Sequence, residues 1–247
     1  MASTAVTPLP VLAEPQRILN TFVAPSKTFG DLRRSAAWWG PFVLIALVST
    51  FFVFEVDRNI GFHKIVENQI QLSPRAARQM EQMPAADRDR AMQQQTKFWR
   101  GFSYGYPGVM LIWNIIVAAV LFATFKFAAS ADVKFKIALA IVMYASLPIL
   151  IKSVLAAISV AAGAAPDSFT FQNPLASNPG YFLNPADSRF LYNLLSAIDV
   201  FMIWTLALTA IGFTCTSKVK RSIAFMIVFG WYLVFVVGSA SFGALFS

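Results

Sequence analysis

Residues Ile137–Ala162 read IALAIVMYASLPILIKSVLAAISVAA, with a single charge, Lys152, and a single proline, Pro148. The apolar residues run continuously rather than alternating, so the stretch reads as a helix and not as a barrel strand. A hydrocarbon core about 30 Å thick takes about 20 such residues. Four more runs are of the same kind: Ala36–Phe54, Gly101–Phe125, Phe190–Phe213 (interrupted only by Asp199) and Ser222–Ser247. Only helices and closed barrels satisfy their backbone groups in lipid. The expected fold is therefore an all-α integral membrane protein, a bundle of five transmembrane helices. The spans fall at about 37–56, 103–126, 136–162, 190–214 and 222–246. Residues 1–36 read as a cytoplasmic or interfacial tail, and 37–247 as one membrane domain.

Composition agrees. A soluble domain carries about 25% charged residues, whereas this chain has 13%, with 57% hydrophobic. The net charge of +8 comes from basic residues that flank the spans. It fits orientation and anionic headgroups rather than nucleic acid, for which no basic patch interleaved with aromatics is present. One histidine, His63, and one cysteine, Cys215, exclude a zinc site built from those residue types and any intramolecular disulfide. Residues 1–35 hold Pro8, Pro10, Pro15 and Pro25 and no apolar core of signal-peptide length.

The short segments set the orientation. The tail carries Arg17, Lys27, Arg33 and Arg34; the turn after the second span carries Lys126, Lys134 and Lys136; the turn after the fourth carries Lys218, Lys220 and Arg221. The positive-inside rule then gives the N-terminus inside and the C-terminus outside. The connection Asp57–Arg100 opposes this with eight Lys and Arg, although Asp57, Glu67, Glu81, Asp87 and Asp89 accompany them. Within it, Ser73-Pro74 is an N-cap followed by proline at the first helical position, and 74–83 and 85–98 favour helix. These helices are either a solvated hairpin or an interfacial pair touching headgroups. In the tail, Ile18, Leu19, Phe22 and Val23 share a helix face, which fits a tail lying on the inner surface. The segment Ala165–Arg189 combines Asn173-Pro174, Asn178-Pro179-Gly180 and Asn184-Pro185 turns with Phe169, Phe171, Leu175, Tyr181 and Phe182. It is expected to cap the outer end of the bundle, a ligand-binding lid being the alternative. No internal repeat is visible.

Asp199 and Lys152 are the only ionisable residues well inside spans, where charges are costly and mark function by default. At 1.5 Å per residue, Lys152 lies about 24 Å from the inner end of its span and Asp199 about 15 Å from the outer end of its own. Three readings stay open: a proton or ion relay, an ion pair joining the third and fourth spans, or separate satisfaction. The last is the default, with Lys152 snorkelling outward and Asp199 bonded to Ser196, Asn193 or Asn114. Pro148 is expected to kink the third span. Small residues around Ala156–Gly163 and Gly238–Gly243 permit close helix packing. No nucleophile elbow, phosphate loop, H-E-x-x-H or paired-glutamate site is present. The chain is expected not to be an enzyme and to need no metal or cofactor.

Several segments together resemble a known family. Ile18-Leu19-Asn20-Thr21-Phe22, Pro25-Ser26-Lys27-Thr28-Phe29 and Leu32, then Trp38-Trp39-Gly40-Pro41, resemble the approach to the first span in bacterial members of the Yip family, the Rab-interacting membrane proteins. Leu72-Ser73-Pro74 with its Gln- and Met-rich helix is similar. So is the pattern Lys134-Phe135-Lys136, Ala140 and Tyr144-Ala145-Ser146-Leu147-Pro148. The resemblance implies five helices with a cytosolic N-terminus, and for a bacterial member the inner membrane. It supplies no catalytic residues. Eukaryotic members bind small GTPases of the Rab class; this chain lacks their long acidic, aromatic N-terminal region, which argues against GTPase binding. Two functions follow as expectations. The first is a membrane organiser or adaptor acting through lipids, a membrane protein partner or self-association. The second is a carrier or channel for a lipid or small solute using Asp199 and Lys152.

Overall fold

A computed structural model describes residues 11–163 and 166–245. The readings that fell on residues 1–10, on Ala165 and on the last residues of the fifth span, 246 and 247, lie outside the described residues. Among those described, the chain is helical without strands. The tail forms α1 (Glu14–Val23) and α2 (Pro25–Asp31). The first span is α3 (Trp39–Asn59). The connection forms α4 (Phe62–Gln71), α5 (Pro74–Glu81) and α6 (Ala85–Tyr104). The second span is α7 (Tyr106–Ala123), closed by a π-helical turn at Thr124–Ala128. The third is α8 (Phe135–Ala145) with α9 (Leu147–Ala161), and the fourth is α10 (Arg189–Ser196) with α11 (Val200–Thr216). The fifth is α12 (Arg221–Leu245). Four helices are long and apolar enough to cross a membrane singly, and the bent α10–α11 pair makes the fifth span.

The third span is the axis of the bundle. Its most apolar window is 67% buried within the protein, against 22% for the second and fifth spans. It touches α3, α7 and α11, and α12 packs on the fourth span. A helix apolar on every side has to be buried by protein or by lipid; here the third span is covered by protein, while much of α7 and α12 faces outward. Pro148 falls in the first turn of α9, where its missing N–H costs little. The helix is interrupted just before it, over Ser146, whose hydroxyl donates to the Val142 carbonyl at 2.8 Å.

The first connection contains a helix that its sequence did not announce. After Gly61, which adopts φ of +82°, α4 buries Phe62 and Ile65 against Val53 and Val56 of α3, Val160 of α9 and Phe169, and Val66 is buried as well. Asn68 donates to the carbonyls of Pro166 and Phe169 at 2.8 and 3.2 Å. Lys64 bridges Asp167 at 2.9 Å and Glu67 at 3.3 Å, and those two partners, Asp167 first, hold its pKa above the ordinary lysine value. The expected cap is present, with Ala76 N–H donating to Ser73 Oγ at 3.4 Å. Phe169 and Phe171 pack inward, but Tyr181 and Phe182 remain exposed.

The tail does more than lie on a surface. Leu19 and Val23 are exposed, while Arg17 and Thr21 on the opposite face are buried, and Phe29 and Leu32 enter the main core. Gly212 on α11 makes room for this, because a Cβ there would strike Ile141 of α8 and stand 3.1 Å from Phe29. Arg17, counted in the sequence only as an orienting charge, donates from Nε and Nη2 to Asp31 Oδ2 at 2.9 and 2.7 Å and from Nη1 to Glu14 at 3.1 Å. The Glu14 carboxylate in turn accepts from the Tyr144 hydroxyl of α8. The hydroxyls of Thr21 and Thr28 both donate to the Arg17 carbonyl at 2.8 Å. Burial opposes the Arg17 charge; Asp31 and Tyr144 more than offset it, so its pKa stands above the usual arginine value. Removing one member of a buried ion pair costs about 3–5 kcal/mol when the other charge is left uncompensated; here Arg34 Nη2 also bridges Asp31 Oδ1 at 2.8 Å, which offsets part of that cost. Arg17→Met is therefore expected to lower thermal stability in detergent and open the tail to protease, with Arg17→Met/Asp31→Leu losing less than Arg17→Met alone. Equal losses in the single and double variants would refute this account.

Candidate functional site

The fourth span is broken, not continuous. Residues 197–199 separate α10 from α11, and the two helices meet at a 52° bend. Such a break leaves backbone groups without their helical partners, and in a membrane interior those groups need substitutes. Asp199 stands at this point as the N-cap of α11. Its Oδ1 accepts from the N–H groups of Phe201 and Met202 at 2.9 and 3.2 Å. Val200 N–H donates to the Ser177 carbonyl at 3.2 Å. The Tyr232 hydroxyl of α12 donates to the Ala197 carbonyl at 2.7 Å. Two elements outside the fourth span, the loop carrying Ser177 and α12, thus supply hydrogen bonds to the break.

The other carboxylate oxygen, Asp199 Oδ2, receives Lys152 Nζ from α9 at 2.7 Å. It also accepts from the Ser177 hydroxyl and, at 3.5 Å, from Asn178 Nδ2. Both charged groups are removed from solvent, with side-chain exposures of 16% for Lys152 and 5% for Asp199. The default expectation of separate satisfaction is corrected here: the two groups pair directly. The difference in depth between Lys152 and Asp199 is bridged because the lysine stem is long and Asp199 lies in a bend rather than along a straight helix. The partners foreseen for Asp199 are also different. Asn114 is buried on α7 and donates to Met143 Sδ at 3.5 Å. Asn193 accepts from Gln172 at 2.9 Å. Ser196 joins the cluster only at second hand, its hydroxyl accepting from Asn173 Nδ2 at 2.8 Å.

Asn173, Ser177, Asn178 and Tyr232 are the members that the sequence did not single out. The Asn-Pro pairs were legible as turns, but their side chains do the linking. Asn178 Nδ2 donates to Asn173 Oδ1 at 3.0 Å, and Asn178 Oδ1 caps the short turn Pro179–Phe182 by accepting from Tyr181 N–H at 3.0 Å. Gly180 lets this turn approach α10 so closely that any Cβ would collide with Ser196.

Chemically, this is a closed arrangement. The Asp199 carboxylate is engaged by a lysine, a hydroxyl, an amide and two backbone donors, and the linings of two cavities, of about 660 and 320 Å³, do not include Asp199 or Lys152. The pair joins α9 to the start of α11. Asp199→Asn and Lys152→Met are each expected to cost about 3 kcal/mol or more, because each strands a buried charge or its partners. The double variant should recover part of that loss in a thermal or denaturant titration in detergent. Strictly additive losses would show that the two groups are not coupled.

The family model described as the Yip1 domain matches residues 19–242, nearly the whole chain. A search of curated proteins and a search of solved structures each returned no match. The matched region starts within α1 and reaches into α12, so it takes in α2, the connection helices and the Lys152–Asp199 pair but not Glu14 or Arg17. The chain belongs to the Yip1 domain family of integral membrane proteins.

Proposed function

We propose that this chain is a non-enzymatic membrane organiser or adaptor, acting through lipids, a membrane protein partner or a second copy of itself. The closed Lys152–Asp199 pair carries the reading. A carrier or channel using these residues needs at least one of them open to a cavity or to water, and here each is spent on the other and on the break in the fourth span. The outward surfaces of α7 and α12 support contact with other membrane components. Ile112 and Trp113 on α7 and Leu233 and Val234 on α12 are all exposed, and Trp113 packs on Phe235 with ring centroids 5.2 Å apart. Small-GTPase binding forms no part of the proposal, since α1 and α2 are engaged with the bundle.

We place the protein in the inner membrane of a bacterium, N-terminus in the cytoplasm and C-terminus outside. The support is the gathering of basic segments at one end. The tail packs on α8 and α11, which bring the Lys134–Lys136 and Lys218–Arg221 turns to the same side.

The test is affinity purification of the full chain in mild detergent, with mass spectrometry of what accompanies it and co-expression of a second copy carrying a different tag. A stoichiometric membrane protein, or the second copy, is expected to co-purify. Recovery of a lone monomer in both formats would overturn the organiser reading. Solute flux in proteoliposomes that falls in Asp199→Asn would establish the carrier instead.

A further inference from the structure

At the end of the bundle away from the tail, the α4–α5 connection and the start of α10 enclose a cavity of about 660 Å³. One wall carries Arg75 and Arg78, and the other carries Arg189; a single aspartate, Asp187, lies among them. None of the three arginines belongs to an ion pair among the described residues. Arg78 Nε donates to the Pro74 carbonyl at 3.1 Å. The backbone adds to this field. Ser73 caps α5 and Ser188 caps α10, so the N-terminal ends of both helices border the same space. Gathering this much positive charge costs Coulomb repulsion, which an anion in the cavity relieves.

The surroundings narrow the kind of anion. Phe190 and the exposed Phe242 of α12 form part of the rim, which places the cavity where the fourth and fifth spans leave the bilayer. A second cavity of about 320 Å³ adjoins it, sharing Leu72, Pro185 and Arg189 and continuing between Ile65, Trp99 and Phe171. A charged chamber opens beside an apolar one, with Arg189 common to both. Planar guanidinium groups match phosphate geometry, and three of them around one space exceed what a carboxylate requires.

We propose that these two cavities form a binding site for a phosphate-bearing amphiphile. The phosphate sits among Arg75, Arg78 and Arg189, and the adjoining apolar part lies against Trp99 and Phe171. The phosphate comes from a phospholipid of the surrounding leaflet or from a soluble organic phosphate, two sources that the same chemistry accepts. The site deepens the lipid contact of the organiser reading, and its failure is distinguishable: loss of binding here would leave co-purification of a protein partner or second copy intact.

The experiment titrates the full chain in detergent with three probes: short-chain phosphatidylglycerol, glycerol 3-phosphate and an uncharged galactosyl diacylglycerol. Binding is read by native mass spectrometry and by the rise in melting temperature. A charge-assisted hydrogen bond contributes about 1.5–3 kcal/mol, so Arg75→Gln and Arg189→Gln are each expected to weaken phosphatidylglycerol binding at least about tenfold. Arg75→Lys should retain part of the affinity, and Arg88→Gln/Arg90→Gln on exposed α6 should retain all of it. Unliganded melting temperatures equal to that of the unaltered chain confirm that the variants are folded. Glycerol 3-phosphate binding with the same arginine dependence assigns a soluble source, and its absence assigns a lipid. Phosphatidylglycerol binding that is indifferent to Arg75→Gln and Arg189→Gln, or no tighter than that of the galactolipid, overturns the proposal.

Discussion

A helix that breaks inside a membrane leaves donors and acceptors with no water to turn to, and one half of this protein is arranged around that constraint. The break before Val200 calls for a cap, and Asp199 supplies it. The cap brings a negative charge into a region of low dielectric, and Lys152 neutralises it. The carboxylate still has lone pairs to fill, and Ser177 and Asn178 fill them from the connecting loop. The loop must then be held in place, which the Asn173–Ser196 bond and the close approach at Gly180 accomplish. Each step follows from the one before it.

The opposite end of the bundle solves a similar problem with other parts. There a tail, and not a loop, is inserted, and the buried charge is an arginine answered by Asp31 and Glu14. In both places the ionic group is also tied to the third span, through Tyr144 on α8 at one end and Lys152 on α9 at the other. The third span is thus central in two senses: it is the one most covered by protein, and it anchors both polar clusters. That leaves α7 and, apart from the Tyr232 bond to Ala197, α12 free of such duties, with mainly apolar side chains turned outward.

How much of this was legible depends on what kind of signal each part leaves. Continuous apolar runs announced five spans, because span length is imposed by the bilayer and every residue reports on it. Lys152 and Asp199 were legible as exceptions, but their pairing was not. Reckoning depth at 1.5 Å per residue assumes straight helices, and Ser196-Ala197-Ile198 contains no residue that forces a break. An aspartate directly before the apolar run from Val200 is an N-cap pattern, the one local clue to the bend. The α4 helix was missed because Gly61 and the polar residues around Phe62, Ile65 and Val66 mask a short amphipathic period. In α1 the apolar face divides: Ile18 and Phe22 pack on the core while Leu19 and Val23 point away from it, and Arg17 and Thr21 are buried, the Thr21 hydroxyl donating to the Arg17 carbonyl.

The seating of Phe29 beside Gly212 sets an order on how the protein is made. The tail is synthesised before α8 and α11, yet these helices form much of the surface that receives it. Contacts so distant in sequence are paid for in loop closure before they return any stability. The seat of Phe29 therefore requires the fourth span, whereas Glu14 meets Tyr144 on the third. Seating of Phe29 is thus expected to follow insertion of the fourth span, and a chain truncated before Gly212 would keep the contacts of α1 with α3, α8 and α9.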